Sequence, residues 1–547
     1  MKPSDSQNPK NVAPLRAAVA LGLTALMAVP AVPANAQVTI PVDLSARKAA
    51  SLPTGESIEL SLDQAIALAL QNTLDLTVAA GNYEKSGFSI MGAQGAFDPT
   101  LNLEASASSS SSTVTSAFQS SGSKSQRLDA YFSGLLDTGA TYQFGFTNQR
   151  SDVNRPAGIP PEGFRSPSLG SSLTAQVTQP LFRNFGRSVN RRFIVQNRIA
   201  RDTSAWQFVR RVQDTVKAVE DAYWDLLYAQ ANLKSRLEAL DRAKDLNRIT
   251  KIKIDVGALA PIDIVQTEVT IAQREQDIIL AEGAIGDAQD LLRRLLNVQN
   301  VSDWARPIVP TDQPSFEEQK VDAEEGIRRA LESRVEVKQA IVDIESRKIT
   351  LAYNNNQVRP RLDAVGSYGL SGTGVNVADE SYSDAYKSIG KADNPSWSIG
   401  LNFAMPIFNR TARANAAIAR TDLELGRTNL AILKQNIALE VRAAGRRIDT
   451  AFRSIAAARK SRELAERNVD AEKKKFENGM TTSFQVSQIQ NDLTTARSNE
   501  LLAIASYRKA INAWHNTVGD ILSYKKVTLE GLPVTLDPTP AEEGAVR

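Results

Sequence analysis

The chain carries the same succession of landmarks twice, and this limits it to architectures that two similar halves can build. Ile66-Ala67-Leu68-Ala69-Leu70 lies over Ile327-Arg328-Arg329-Ala330-Leu331 at an offset of 261, which holds without a gap to Pro99-Thr100-Leu101 over Pro360-Arg361-Leu362. Gln179-Pro180-Leu181-Phe182 then matches Met405-Pro406-Ile407-Phe408 at an offset of 226. Val256-Gly257 with Asp263-Ile264 matches Asn478-Gly479 with Gln485-Val486 at 222. One such agreement arises easily by chance; three in the same order point to a duplicated unit. Pro99 to Pro180 is 81 residues and Pro360 to Pro406 is 46, so the first half holds 35 extra residues there. Pro180 to Gly257 is 77 and Pro406 to Gly479 is 73; the difference of four is about one helical turn.

Each half opens with a helix. Ser61-Leu62-Asp63-Gln64 reads as a cap, with Ile66, Leu70, Leu74 and Val78 on one face, and Pro99 ends the helix. Its copy runs from about Ala323 to Asn356. Strands follow. Trp397, Ile399, Leu401, Phe403 and Met405 alternate with Ser398, Gly400, Asn402 and Ala404; Leu173, Ala175 and Val177, and Tyr142, Phe144 and Phe146, alternate with small polar residues. Such strands suit a transmembrane barrel with a wet lumen, or a soluble sheet with one face on a core. The first half shows four candidate strands, including a hairpin around Asp137-Thr138-Gly139, and the second half two. Ser-rich and Gly/Pro-rich pieces, Ser108–Ser112 within the run Ser106–Ser125, Arg155–Gly170 and Ser371–Asn394, read as long loops.

Long helices come last in each half. Asn190 to Asp255 contains no Pro and would span roughly 100 Å. Trp206, Val209, Val212, Val216, Val219, Tyr223 and Leu226 step as a coiled-coil seam. A turn at Gly257 leads to a partner helix, Ile262 to Leu296. The copy runs from Arg413 to Glu477, turns at Asn478-Gly479 and continues from Phe484 to Val518. One apolar stripe with a wide polar face fits a wall with water on both sides or an ordinary soluble coiled coil. Asp263, at a helix start, is first a capping residue. Arg183, Arg187, Arg191, Arg192, Arg198 and Arg201 cluster where strand meets helix and face lipid phosphates or solvent.

Composition narrows the function. There are no Cys, one His (His515) and 64 Lys plus Arg against 61 Asp plus Glu. Thiol chemistry, disulfides and a His-rich metal site are excluded, and the charge balance argues against nucleic-acid binding. No paired carboxylates, phosphate loop or nucleophile elbow stands out, so an enzyme is not expected. Residues 1–36 read as a secretory signal, with Lys2, Lys10 and Arg16, an apolar core from Ala17 to Val29, and Ala34-Asn35-Ala36 as the cleavage site.

The opening helices, the Gln179-Pro180-Leu181-Phe182 and Met405-Pro406-Ile407-Phe408 junctions, and the Val256–Asp263 and Asn478–Gln485 turns together resemble the TolC-like outer-membrane efflux proteins, over about Leu60 to Ile521. The resemblance implies a homotrimer: a transmembrane β-barrel continued by a long periplasmic α-helical barrel, an α+β membrane protein of two repeats. It implies a channel of a tripartite efflux or type I secretion system, without cofactor or metal, taking a periplasmic adaptor (membrane fusion) protein, an inner-membrane RND or ABC transporter and outer-membrane lipid as partners. The expected division is a signal peptide 1–36, an N-terminal segment 37–60, repeat 1 over 61–297, a linker 298–322, repeat 2 over 323–518 and a tail 519–547. The tip turns would carry Gly257, Asp263 and Gly479. In the family, acids six and nine residues past the second Gly can ring the pore; here these positions are Gln485 and Gln488, so the constriction would be uncharged. The family's four strands per protomer become six, giving an eighteen-stranded barrel or an extra hairpin outside a twelve-stranded one. The competing reading is a periplasmic adaptor or a surface coiled-coil stalk. The sequence does not name the cargo.

Overall fold

A computed structural model of the chain describes residues 38–41, 52, 53, 55–160, 164, 166–313, 316–374 and 381–530. The expected signal segment and the tail beyond 530 lie outside the described residues. The first half opens with β1 (Val38–Pro41), β2 (Ile58–Leu60), α1 (Leu62–Asn72) and α2 (Leu74–Gln94). Four strands follow: β3 (Thr100–Ser111), β4 (Gly122–Leu135), β5 (Thr141–Val153) and β6 (Ser168–Pro180). Then come α3 (Arg187–Asn190), α4 (Arg192–Asp255), α5 (Ile262–Leu296), α6 (Val301–Trp304) and β7 (Ile308–Pro310). The second half has α7 (Ala323–Ser333), α8 (Val335–Gln357), β8 (Arg361–Gly374), α9 (Ser383–Lys391) and β9 (Pro395–Ala404). It ends with α10 (Arg410–Glu477), α11 (Ser483–Val518), α12 (Ile521–Tyr524) and β10 (Val527–Glu530).

The opening helix of each half is two helices, not the single one expected. The capping box at its start is real: Gln64 N–H donates to Ser61 Oγ at 3.3 Å and Ser61 N–H to Gln64 Oε1 at 3.0 Å. The break falls at Thr73, whose backbone is extended, and its hydroxyl donates to the carbonyls of Ala69 and Leu295. A hydroxyl that can satisfy carbonyls outside the helix competes with helical continuation. In the second half Arg334 breaks the helix, and its largely buried guanidinium bridges Glu336 at 3.2 Å and Glu440 at 2.5 Å. The Ser-rich stretch read as a loop is strand as far as Ser111, because β3 pairs with β4 over its whole length and Ser110 Oγ meets Ser123 Oγ at 3.0 Å. The stretch Ser371–Asn394, also read as loop, holds the end of β8 and the helix α9.

All six long strands form one antiparallel sheet in the order β3-β4-β5-β6-β8-β9. The inserted hairpin is therefore β4–β5, within the sheet and not outside it. The connections at 112–121 and 154–160, and the helix α9 that precedes β9, lie at the end away from the long helices; the β4–β5 turn at 136–140 is short and lies at the helix end, where Gly186 N–H donates to Thr138 O at 3.0 Å.

The helices stand side by side. Near the sheet the order is α2-α4-α8-α10; towards the far end it is α5-α4-α11-α10. The seam expected along α4 is buried from Val212 to Leu226. Two apolar clusters sit midway along the helices. One gathers α1 with Phe208, Val212, Tyr223 and Leu292; the other gathers Ala330, Val441, Ile448 and Tyr507 around Trp514. Two buried tyrosines pin the linker between the halves: Tyr223 Oη donates to Asp312 Oδ2 at 2.6 Å, and Tyr507 Oη to the Glu317 carbonyl at 2.7 Å. The two-stranded sheets β2–β7 and β1–β10, both parallel, flank this level.

Candidate functional site

The residues singled out in the sequence fall into two groups at opposite ends of α4 and α10. Helix α4 has 64 residues, which sets the groups roughly 100 Å apart.

At the far end, Gly257 and Gly479 hold left-handed φ values of +76° and +74°, which favour glycine. Both turns close with the same two bonds. Gly257 N–H donates to Ile254 O and Ala258 N–H to Lys253 O; Gly479 N–H donates to Phe476 O and Met480 N–H to Lys475 O. This is the Schellman ending of a helix. The turns are tied to each other. Lys253 Nζ donates to the carbonyls of Phe476 and Glu477, the latter at 3.0 Å, and lies 4.7 Å from the Phe476 ring centroid. Leu246, Phe476 and Val486 form an apolar knot beneath this tie, and Asp245 bridges Lys473 at 2.9 Å. Higher up, Thr270 Oγ1 meets Ser487 Oγ at 3.0 Å and Arg274 donates to Asn491 at 3.1 Å.

The two helices that leave the turns start differently. Helix α5 begins at Pro261 with no side-chain cap, and Asp263 supplies negative charge in its first turn. Helix α11 is capped by Thr482, whose hydroxyl accepts from Gln485 N–H at 3.3 Å. With the hydroxyl serving the helix end, an acid at 485 is not needed for capping. Gln485 and Gln488 are both exposed, one turn apart, and Gln488 Nε2 reaches Asp492 Oδ1 at 3.5 Å. The row Gln485-Gln488-Asp492 thus regains a carboxylate one turn beyond the two expected positions. Lys253 and Asp492 were not singled out in the sequence. A Lys in the last turn of a helix is ordinary, and its partners lie more than 220 residues away.

At the other end are Pro180, the buried last residue of β6, and Pro406, exposed just after β9. Pro180 pairs with Asp363 in β8, and Leu181 N–H donates to Leu362 O at 2.7 Å. Beyond each proline the chain turns through an Asn with positive φ, Asn184 at 63° and Asn409 at 43°.

The sheet between these junctions and the loops has two unlike faces. One row crosses all six strands as Leu101, Phe132, Phe144, Ala175, Tyr368 and Trp397. The neighbouring row on the opposite face reads Thr100, Ser133, Gln143, Gln176, Ser367 and Ser398. On β9 the apolar side chains are open to their surroundings, with Trp397 74% and Ile399 81% exposed. At the loop end α9 lies across this face, with the Tyr386 and Phe146 rings 6.0 Å apart. The alternation expected from the sequence is therefore one continuous apolar surface. Among the described residues no helix is long and apolar enough to cross a membrane.

The wall has two bare margins. Strands β3 and β9 pair on one side only. Helix α10 shows Ile418, Leu425, Ile432 and Leu439 at intervals of seven, all exposed. The opposite margin shows Leu74, Val78, Phe88 and Met91 on α2, and Ile262, Val265 and Val269 on α5.

Among the described residues, no group of three or more His, Asp or Glu could hold a metal ion. No curated protein matches the chain. The model of the outer membrane efflux protein family matches it twice, over residues 65–298 and 326–519. The fold is similar to that of the Campylobacter jejuni CmeC outer membrane channel, at 15% identity and a TM-score of 0.60, covering 86% of this chain and 90% of that one. It is similar to CusC, at 15% identity and 0.62, covering 88% and 98%. It is also similar to the outer membrane protein VceC of Vibrio cholerae, at 14% and 0.60, covering 84% and 96%. A twofold family match, a sheet with one apolar face and paired helical hairpins agree on one conclusion: the chain belongs to the outer membrane efflux protein family and is an efflux channel of the outer membrane.

Proposed function

We propose that three copies of this chain, each a duplicated unit, close into one eighteen-stranded barrel and one helical tunnel, and that this duct passively conducts substrates out of the periplasm. The observation that carries the reading is the pair of bare margins, which recur at every level of the wall. In a bilayer an unpaired strand edge has no water to satisfy it, so β3 and β9 need partners. Six strands are fewer than known closed membrane barrels contain. The two margins differ, so copies join head to tail, and such contacts form a ring where the rotation between copies closes, as a barrel without free edges requires. An even number of strands per copy keeps β9 antiparallel to the next copy's β3. The apolar stripes on α10 and on α2 and α5 would then meet across the same boundary.

In this duct the apolar sheet face meets lipid and the Thr/Ser/Gln face lines the water-filled pore. The tips at Gly257 and Gly479 form the periplasmic gate, which opens as the helix pairs splay. Gln485, Gln488 and Asp492 narrow the entrance. A periplasmic adaptor docks at the tips and an inner-membrane RND or ABC transporter supplies the energy; the duct itself catalyses no reaction and needs no cofactor. The test is reconstitution in planar bilayers beside gel analysis with and without heating. The expected result is discrete conductance steps from an SDS-resistant oligomer of three chains. A heat-insensitive monomer without conductance would overturn the reading, and a soluble periplasmic protein would revive the adaptor or stalk.

A further inference from the structure

The charge on this chain is nearly balanced, 64 against 61, yet it is segregated at one level. Where the helices leave the sheet, segments 181–201, 349–362 and 405–421 carry six, two and three arginines and no Asp or Glu. These segments hold the start of α4, the end of α8 and the start of α10, which the side-by-side order brings to one height. Some of their arginines are satisfied internally: Arg361 bridges Asp363 at 2.5 Å, Arg187 bridges Asp137 at 2.9 Å, and Arg183 donates to Gln357 at 2.9 Å. Arg191, Arg198, Arg359, Arg413 and Arg420 are exposed and have no ion pair among the described residues.

A second observation fixes what surrounds this belt. Immediately beside it stand Phe185, Phe193, Ile407 and Phe408, exposed by 48%, 54%, 86% and 67%. Ile407 continues the odd-numbered apolar row of β9. The Arg192 Cζ lies 4.1 Å from the Phe193 ring centroid and 3.6 Å from that of Tyr353; the Arg410 Cζ lies 5.0 Å from that of Phe408. Guanidinium groups resting on exposed aromatic rings, at the end of an apolar surface, form a boundary between hydrocarbon and charge. On α10, Arg410, Arg413 and Arg420 fall within an arc of about 80°, apart from the margin stripe of Ile418, Leu425, Ile432 and Leu439. A neighbouring copy on that stripe leaves the arginines uncovered.

We propose that this belt is a docking surface for the phosphates of anionic phospholipids in the periplasmic leaflet. The inference rests on the reading of the sheet as a membrane wall. The planar guanidinium takes phosphate oxygens two at a time, and the absence of acids over these stretches removes competing partners. The aromatic row sets the depth of the sheet and the arginine row holds the headgroups, so the wall is anchored at one height.

The test uses the full-length protein, delipidated in detergent and then mixed with micelles of equal phosphatidylethanolamine and phosphatidylglycerol. Lipid retained per chain is counted by native mass spectrometry. The wild type should retain phosphatidylglycerol at least tenfold over phosphatidylethanolamine. A fourfold variant, Arg191→Gln, Arg359→Gln, Arg410→Gln and Arg413→Gln, should fall to parity, and the matching Arg→Lys variant should lie between. Parity in the wild type overturns the proposal. So does a Gln variant that keeps its lipid preference but shifts its reversal potential, which would put the arginines in the pore. A protein with no conductance and no heat-modifiable band fails earlier, at the membrane-wall reading itself.

Discussion

Replacing Lys253 with Met tests whether the two hairpins are held together at their tips. Met keeps most of the stem and its contact with Phe476 but removes the ammonium group. Three kinds of interaction are lost together: two charge-assisted hydrogen bonds to the carbonyls of Phe476 and Glu477, a cation near the end of α10, and a cation over the Phe476 ring. Taken singly these are worth about 1.5–3, 0.3–1 and 0.5–1 kcal/mol. They share one half-exposed group and do not add, so about 2 kcal/mol is the working figure. At 1.4 kcal/mol per tenfold, local opening becomes roughly 30-fold more frequent. Hydrogen exchange should report this at Gly479 and Met480, whose amides close the turn on Phe476 and Lys475, while the sheet amides stay unchanged. Asp245→Asn is the control. Its bridge to Lys473 has both side chains more than a third exposed, so solvent screening leaves about 0.5 kcal/mol or less and a change near twofold. A change under about threefold for Lys253→Met would refute the tie, as would an Asp245→Asn effect of equal size.

Four further outcomes are expected. Leu425→Asp with Ile432→Asp charges the exposed stripe of α10; the SDS-resistant oligomer should disappear while helical circular dichroism persists. Gly326→Val places a Cβ 2.6 Å from Trp514 Cη2, inside a packed core; overpacking of about 1–3 kcal/mol should lower the melting temperature. Asp263→Ala combined with Gln485→Ala should raise single-channel conductance in planar bilayers, and unchanged conductance would sink the gate assignment. Lowering the pH should loosen the hairpins. Hydrogen bonds from Lys473 and Arg248 hold the Asp245 carboxyl below its usual range; burial would raise Glu466, but Arg497 and Arg462 hold it below. Their folded pKa values are depressed, so their contribution is present above about pH 4 and is lost as the pH falls through the lowered values; melting should stay level from neutrality to about pH 5 and drop below 4.

Much of the helical frame was legible because glycine and proline punctuate it. Helix α5 runs from Ile262 to Leu296, the expected bounds, since Gly257 and Pro261 leave the chain little choice before it. The breaks at Thr73 and Arg334 were not legible, because the carbonyl of Leu295 and the carboxylate of Glu440 that hold them come from distant parts of the chain. The serines of β3 have little strand preference of their own; β4 imposes it by pairing. Helix α9 was hidden in a run rich in Ser, Asp and Gly, and what keeps it is packing on Gly372, where any Cβ would strike the Ala385 carbonyl. At the tips, the glycines were legible from their repetition. The contact that joins the turns was not, because nothing local marks Lys253 as a partner of residues 476 and 477.

In the proposed ring of three copies, the bare margins also govern how a damaged copy behaves among sound ones. A chain altered at Leu425 still offers an intact margin of α2, α5 and β3, so an unaltered neighbour accepts it on that side. The defect then shows as one open seam in a ring otherwise properly formed. With equal amounts of altered and unaltered chain and random mixing, roughly one ring in eight is free of altered copies. A lesion at a margin is therefore dominant, whereas a lesion confined to the core of one copy removes only that copy from the supply.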